Sequence, residues 1–195
     1  YKRQQFIITV NPSAQVNGLA DYNTILCDGE FTPVYSFSTV NTDGLTSFNW
    51  ANNNTAIGLA DSGEGGIPSF QVINSTQSTI SATITVTPSY ENNGIICDGN
   101  SETFTIVVNP SPEMDNVDDI VLCNNEISSI IEFTTPNTDG NTTYNWTNDN
   151  TSIGLSSGGN GDIPSFTAIN LTPISEVATI TVIPTYENNG VVCIL

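Results

Sequence analysis

Residues 82–87 read Ala-Thr-Ile-Thr-Val-Thr, with apolar and hydroxyl side chains in strict alternation. Successive side chains of a strand point to opposite faces, so this pattern predicts a strand with one face in a core and the other in solvent. Looser versions of the alternation place strands near 34–38, 48–52, 70–73, 81–87 and 103–108. No stretch carries apolar residues at sustained helical spacing, and Thr, Ser, Asn, Ile and Val dominate between frequent Gly and Pro. That composition suits many short strands joined by turns, and the fold class is read as all-β. Thr-Asp-Gly at 42–44 and 138–140 and Asn-Asn-Gly at 92–94 and 188–190 are turn sequences that tolerate positive φ.

The second half of the chain repeats the first. A spacing of 96 residues relates Cys27 to Cys123, Trp50 to Trp146, Ile57-Gly58-Leu59 to Ile153-Gly154-Leu155, Ile67-Pro68-Ser69-Phe70 to Ile163-Pro164-Ser165-Phe166, and Cys97 to Cys193. Ahead of Cys27 the spacing becomes 98, because Val10-Asn11-Pro12 matches Val108-Asn109-Pro110. A slip of this kind belongs in a connector, where length drifts freely. Pro12, Pro110 and Pro112 stiffen that connector by fixing φ and removing backbone donors.

About a hundred residues per repeat, with roughly seven strands, one Trp in an early-middle strand and one pair of Cys, is the recipe of an immunoglobulin-like β-sandwich. The chain is therefore expected to hold two tandem sandwiches, 11–109 and 110–195. Trp50 and Trp146, at equivalent places among alternating residues, are read as core anchors and not as sugar-stacking platforms. Cys97 follows the turn at 90–94, so bridges from Cys27 to Cys97 and from Cys123 to Cys193 are expected to staple loops at one pole of each sandwich. On the chain-entropy view, closing a loop of that size stabilises by roughly 4 kcal/mol.

The register of the ends matters. Phe6-Ile7-Ile8-Thr9-Val10 matches Phe104-Thr105-Ile106-Val107-Val108, so residues 1–10 read as the last strand of a preceding repeat, while the second repeat lacks its own last strand. The expected reason is that the chain is a window on a longer array. The competing reading is strand donation, in which residues 1–10 of one copy complete the open sheet of the next.

Twenty acidic residues against two basic ones give a formal net charge of -18, and Lys2 and Arg3 are the only cations. Such a chain repels nucleic acid and anionic lipid, so neither is expected as a partner, and no apolar run approaches membrane-spanning length. Four Cys without a CxxC pair, and no His, favour disulfides over zinc and an oxidising, extracellular setting. The same residues leave no Ser/His or Cys/His pair for nucleophilic catalysis, so no enzyme is expected. The Gly-rich runs 63–66 and 158–161 lack the Lys and following helix of a phosphate cradle and read as loops. Calcium is the one cofactor with a candidate place. Asp43, Glu64, Asp139, Asp149 and Asp162 are hard oxygen donors, and Asp115, Asp118 and Asp119 cluster just after the Pro-rich joint.

Val-Asn-Pro-Ser-Pro at 108–112, Tyr-Asn-Trp-Thr-Asn-Asp-Asn at 144–150, Gly-Asp-Ile-Pro-Ser-Phe-Thr-Ala at 161–168 and Ala-Thr-Ile-Thr-Val at 178–182 resemble the PKD-like repeats of very large surface adhesins of the Bacteroidetes. In place of the Trp-x-Phe-Gly-Asp-Gly element of ordinary PKD domains stand Phe48-Asn49-Trp50-Ala51-Asn52-Asn53 and Tyr144-Asn145-Trp146-Thr147-Asn148-Asp149. The resemblance implies a fibre exported by type IX secretion, held at the outer membrane and used in gliding motility and attachment. Its partners would be neighbouring repeats of the same chain and, through the whole protein, a surface polysaccharide or substratum. The alternative is a carbohydrate- or protein-binding module of a secreted enzyme.

Overall fold

A computed structural model describes residues 2–194. The chain divides into two compact units, one holding the residues up to Ile73 together with Ile80–Val108, the other holding Asn74–Thr79 together with Asn109 onward. Both are all-β, with 3-10 turns and no α-helix among the described residues.

Unit 1 contains β1 (Thr24–Cys27), β2 (Leu45–Asn52), β3 (Ser62–Glu64), β4 (Ile80–Asn92), β5 (Ile95–Asp98) and β6 (Glu102–Asn109). The sheet order is β1-β6-β4-β2-β3, with β5 also on β4. The alternation at 82–87 becomes the central strand: Ala82, Ile84 and Val86 are buried, and the Thr residues between them are half-buried on the other face. Opposite the sheet lie two extended segments joined by bridges between Phe31 and Gln71 and between Tyr35 and Ile67. Tyr35, Ile67 and Val72 of this layer pack with Trp50, Ile84, Val86, Phe104 and Ile106 of the sheet in one core, which makes the unit a sandwich.

Unit 2 repeats the plan with β7 (Asn141–Asn148), β8 (Gly158–Asn160), β9 (Ile180–Asn188) and β10 (Val191–Ile194), ordered β10-β9-β7-β8. Its second layer is held by bridges between Ile127 and Thr167 and between Ile131 and Ile163.

Residues 34–38 and 70–73, expected as strands, carry only the isolated bridges. Pro33 and Pro68 stand beside them without a backbone N–H to give, which stops a continuous ladder from forming. The Asn-Asn-Gly turns close tight hairpins as expected, with Asn93 and Gly94 at φ 53° and 77° and Asn189 and Gly190 at φ 52° and 77°. These turns lead into β5 and β10, which the alternation alone did not disclose. The strands β3 and β8 were also hidden, because Ser62-Gly63-Glu64 and Gly158-Gly159-Asn160 have no apolar pattern. Their use is steric: a Cβ at Gly63 would run into the Trp50 indole and one at Gly159 into Trp146, so each Gly lets a Trp lie across its strand.

Candidate functional site

The described strands of the two units differ, since β1 and β6 have no described counterparts in unit 2. In unit 1, β6 lies between β1 and β4, with Val108 opposite Ile80, Ile106 opposite Ala82 and Phe104 opposite Ile84. The positions equivalent to β6 in unit 2, 198–205, lie beyond residue 195. Residues 176–179, which match the first four residues of β4, are not in a strand, because that stretch of β4 pairs only with β6. Residues 120–123, which match β1, are not in a strand either, and Val121 is 93% exposed. In the core, Ala82, Ile84 and Val86 are 1%, 0% and 0% exposed, whereas the equivalent Ala178, Ile180 and Val182 are half-buried.

Residues 4–10 repeat the apolar pattern of β6. They form no strand, and Phe6, Ile8 and Val10 are 79%, 75% and 87% exposed. These three correspond to Phe104, Ile106 and Val108, all of them buried in unit 1.

A second feature sits in unit 2, where the Asn74–Thr79 segment is held by side chains. The Thr79 hydroxyl donates to Asn109 Oδ1 at 3.0 Å, accepts from Asn188 Nδ2 at 2.7 Å and lies 3.3 Å from the Tyr186 hydroxyl. The backbone N–H of Thr138 donates to the Gln77 carbonyl at 2.8 Å. The unit 1 counterparts of these holding residues are Asn11, Tyr90 and Asn92. There Asn92 Nδ2 turns instead to Asn11 Oδ1, at 3.2 Å.

The cysteines depart from the expected pairing. Cys27 and Cys193 are each disulfide-bonded, whereas Cys97 and Cys123 are free thiols, so neither Cys27–Cys97 nor Cys123–Cys193 exists. The reason lies within each unit. Cys97 faces Tyr90 near the end of β4. Cys27 belongs to the other end: its turn bonds to Val72, the adjacent Ile73 bonds to Ile57, and the neighbouring Asn54 side chain donates to the Ser81 carbonyl near the start of β4. Nine residues of strand at about 3.3 Å each separate Ser81 from Tyr90, far beyond the roughly 7 Å between Cα atoms that a disulfide spans. Unit 2 shows the same layout, with Cys193 opposite Tyr186 and Cys123 beside Glu126 and Ala168. With only two basic residues in the chain, trypsin is of little use for mapping. Cleavage at Glu without reduction is expected to leave the Cys27 and Cys193 peptides unalkylated, with alkylation of Cys97 and Cys123. A Cys27–Cys97 peptide would reverse this assignment.

Trp50 and Trp146 lie in the cores, 8% and 4% exposed, where a sugar has no access to their faces. Asp115, Asp118 and Asp119 are not brought together: no group of three or more His, Cys, Asp or Glu able to hold an ion occurs among the described residues. Asp115 instead accepts from the Thr134 hydroxyl at 2.6 Å, and Asp118 from Asn116 at 3.4 Å. Of the other acids, Asp149 accepts from the Thr179 N–H at 2.7 Å and Asp162 from the Phe133 N–H at 2.9 Å, which makes them backbone clamps. Sequence reasoning missed the buried Asn52 and Asn148, whose amides tie the loop after β2 and β7 to the strand. Their only signal was the Trp-x-Asn spacing shared by both repeats. Tyr35 and Tyr144 have hydroxyl pKa values above the ordinary phenol range, both chiefly through burial.

No family model matches the chain, and no curated protein sequence matches it.

Proposed function

We propose that this chain is a structural module of a cell-surface adhesin fibre, acting outside the cytoplasm as a spacer and not as an enzyme. The observation that carries the reading is what recurs between the units. Asn52 and Asn148 make the same pair of loop bonds, the Tyr90 and Tyr186 hydroxyls donate to the carbonyls of Thr42 and Thr138, and the N–H groups of Cys27 and Cys123 donate to Glu30 and Glu126. These are scaffold bonds. Beyond the short turns that close the hairpins, two exposed loops do not recur: Asp-Ser-Gly-Glu-Gly-Gly at 61–66 stands against Ser-Gly-Gly-Asn-Gly-Asp at 157–162, and Ser-Thr-Gln-Ser at 75–78 against Leu-Thr-Pro-Ile at 171–174. A repeated binding site would need repeated exposed groups, whereas a spacer needs only a repeated framework.

The disulfide supports an oxidising location, and the acidic surface keeps neighbouring molecules apart. The resemblance to PKD-like repeats supports the finer reading of a bacterial gliding and attachment fibre at the outer membrane. Two measurements test the proposal together. A glycan array is expected to be silent. Stretched by its ends after reduction, a single chain is expected to show discrete unfolding steps. A specific glycan signal would replace the spacer by the binding-module reading, and a reduced chain that extends without resistance would remove the mechanical role.

A further inference from the structure

We infer that Asn17-Gly18 is a self-modifying site, at which the folded chain turns the Asn17 amide into a carboxyl group well ahead of its other Asn-Gly pairs. The chain has four such pairs, at 17–18, 93–94, 160–161 and 189–190. A glycine after asparagine leaves the backbone nitrogen uncrowded, so that it can attack the side-chain carbonyl. The bond from Gly18 N to Asn17 Cγ forms as the N–H proton passes to solvent. The Cγ–Nδ2 bond then breaks, and Nδ2 takes a proton from water and leaves as ammonia. Water opens the resulting succinimide at either carbonyl, which yields Asp or isoAsp.

The fold closes three of the four pairs to this reaction. The Gly161 N–H donates to the Tyr144 carbonyl at 2.9 Å, while Asn160 lies in β8 opposite Asn145. Asn93-Gly94 and Asn189-Gly190 sit at positive φ in tight turns, and the strands pair immediately behind them, Asn92 with Ile95 and Asn188 with Val191. Bringing the Gly nitrogen over Cγ there means rotating the peptide between the two turn residues, which opens the hairpin. Nothing of this kind intervenes at 17–18. Both residues are exposed and outside any strand, and no hydrogen bond among the described residues engages the Gly18 N–H. The Asn17 amide is restrained by an exposed bond from Nδ2 to Ser38 Oγ at 2.7 Å.

Unit 2 supplies an independent observation, because it shows the product in place. On the spacing of 98 that holds ahead of Cys27, Asn17 corresponds to Asp115, and on the spacing of 96 Ser38 corresponds to Thr134. The Asn17 N–H donates to the Ser38 carbonyl and the Asp115 N–H to the Thr134 carbonyl, each at 2.8 Å. Where Asn17 Nδ2 donates to the Ser38 hydroxyl, the Thr134 hydroxyl donates to Asp115 Oδ2 at 2.6 Å. Turning the Ser38 O–H round therefore accommodates a carboxylate at 17. The isoAsp product has no such counterpart. It lengthens the backbone between Val16 and Leu19, which are both seated in the unit 1 core, so the two can no longer keep their places together.

The reaction stands apart from the spacer reading, which does not depend on it. The whole chain, kept folded in mildly alkaline buffer, is cleaved at Glu at intervals and mapped by tandem mass spectrometry. Asn17 is expected to deamidate at least about tenfold faster than Asn93, Asn160 or Asn189, the ratio given by a barrier difference of about 1.4 kcal/mol. In urea the four rates are expected to converge. Gly18→Ala adds a methyl group where nothing lies within 4 Å and where φ is not in the left-handed region, so it leaves the fold intact. It is expected to slow the reaction at 17 by about tenfold or more. Asn17→Asp is expected to keep the urea midpoint of unit 1, and the isoAsp fraction to fall below it. Deamidation at 17 no faster than at the other pairs of the folded chain overturns the inference. So does a rate that Gly18→Ala leaves unchanged, and an Asn17→Asp chain whose unit 1 is as weak as the isoAsp form overturns the match to Asp115.

Discussion

Trp50→Ala is expected to unfold unit 1 under conditions in which unit 2 of the same chain stays folded. The indole of Trp50 fills the centre of the unit 1 core, against Gly63 on one side strand and Val86 on the other. Because a Cβ has no room at Gly63, the strand beneath the ring cannot carry a side chain that would fill the void. Removing a buried Trp costs about 3–5 kcal/mol through lost burial and the cavity left behind. That is a large share of the roughly 5–15 kcal/mol that holds a domain together. The chain has one Trp per unit, so in this variant Trp146 fluorescence follows unit 2 alone. It should still report a cooperative transition, while the amide resonances of unit 1 collapse to unfolded positions. The reciprocal Trp146→Ala, which removes an indole only 4% exposed, should unfold unit 2 and leave unit 1 folded. A folded Trp50→Ala chain that loses only binding to a glycan would return the aromatic to a recognition role.

Much of this architecture was legible because strands announce themselves by alternation and repeats by spacing. The run at 82–87 placed the central strand, the Asn-Asn-Gly turns placed the hairpins, and the 96-residue period placed equivalent strands in both units. Legibility failed where the controlling contact was not local. At 34–38 and 70–73 alternation was present, but neighbouring prolines removed the donors that a ladder needs. At 62–64 there was no alternation to see, since Gly63 belongs to the sheet for the space it leaves to Trp50. The expected disulfides failed for a related reason. Spacing along the chain said that Cys27 and Cys97 were equivalent to Cys123 and Cys193, but the direction in which β4 carries Tyr90 away from Ser81 decides which sulfurs can meet.

Asn52→Ala is expected to cost unit 1 about 1–3 kcal/mol, although it removes little apolar burial, because the buried Leu59 carbonyl loses its donor and the partly buried Ala60 carbonyl and Asn54 N–H lose their partner. The Asn52 side chain, 7% exposed, donates to the carbonyls of Leu59 and Ala60 at 3.1 and 3.2 Å and accepts from the Asn54 N–H at 3.0 Å. Asn54 in turn donates to the Ser81 carbonyl at 2.9 Å and caps the 3-10 turn Thr55–Ile57 through the Ala56 N–H at 3.1 Å. One amide thus fixes the loop after β2 to its own strand and, through Asn54, to β4. Asn148 makes the same bonds to Leu155, Ser156 and Asn150, so Asn148→Ala should cost unit 2 a similar amount. Asn52→Asp separates hydrogen bonding from shape. The new side chain has the same outline, but as a carboxylate it faces two carbonyl oxygens with nothing to donate, and only its protonated form supplies one of the lost bonds. Burial among acceptors raises the folded-state pKa above its unfolded value, so the variant is closest to the parent in acid and falls behind as pH rises through the carboxylate range. Urea midpoints of parent and variant, compared at each pH, read this directly. A difference that does not vary with pH would mean that the loop is held by packing and not by the amide.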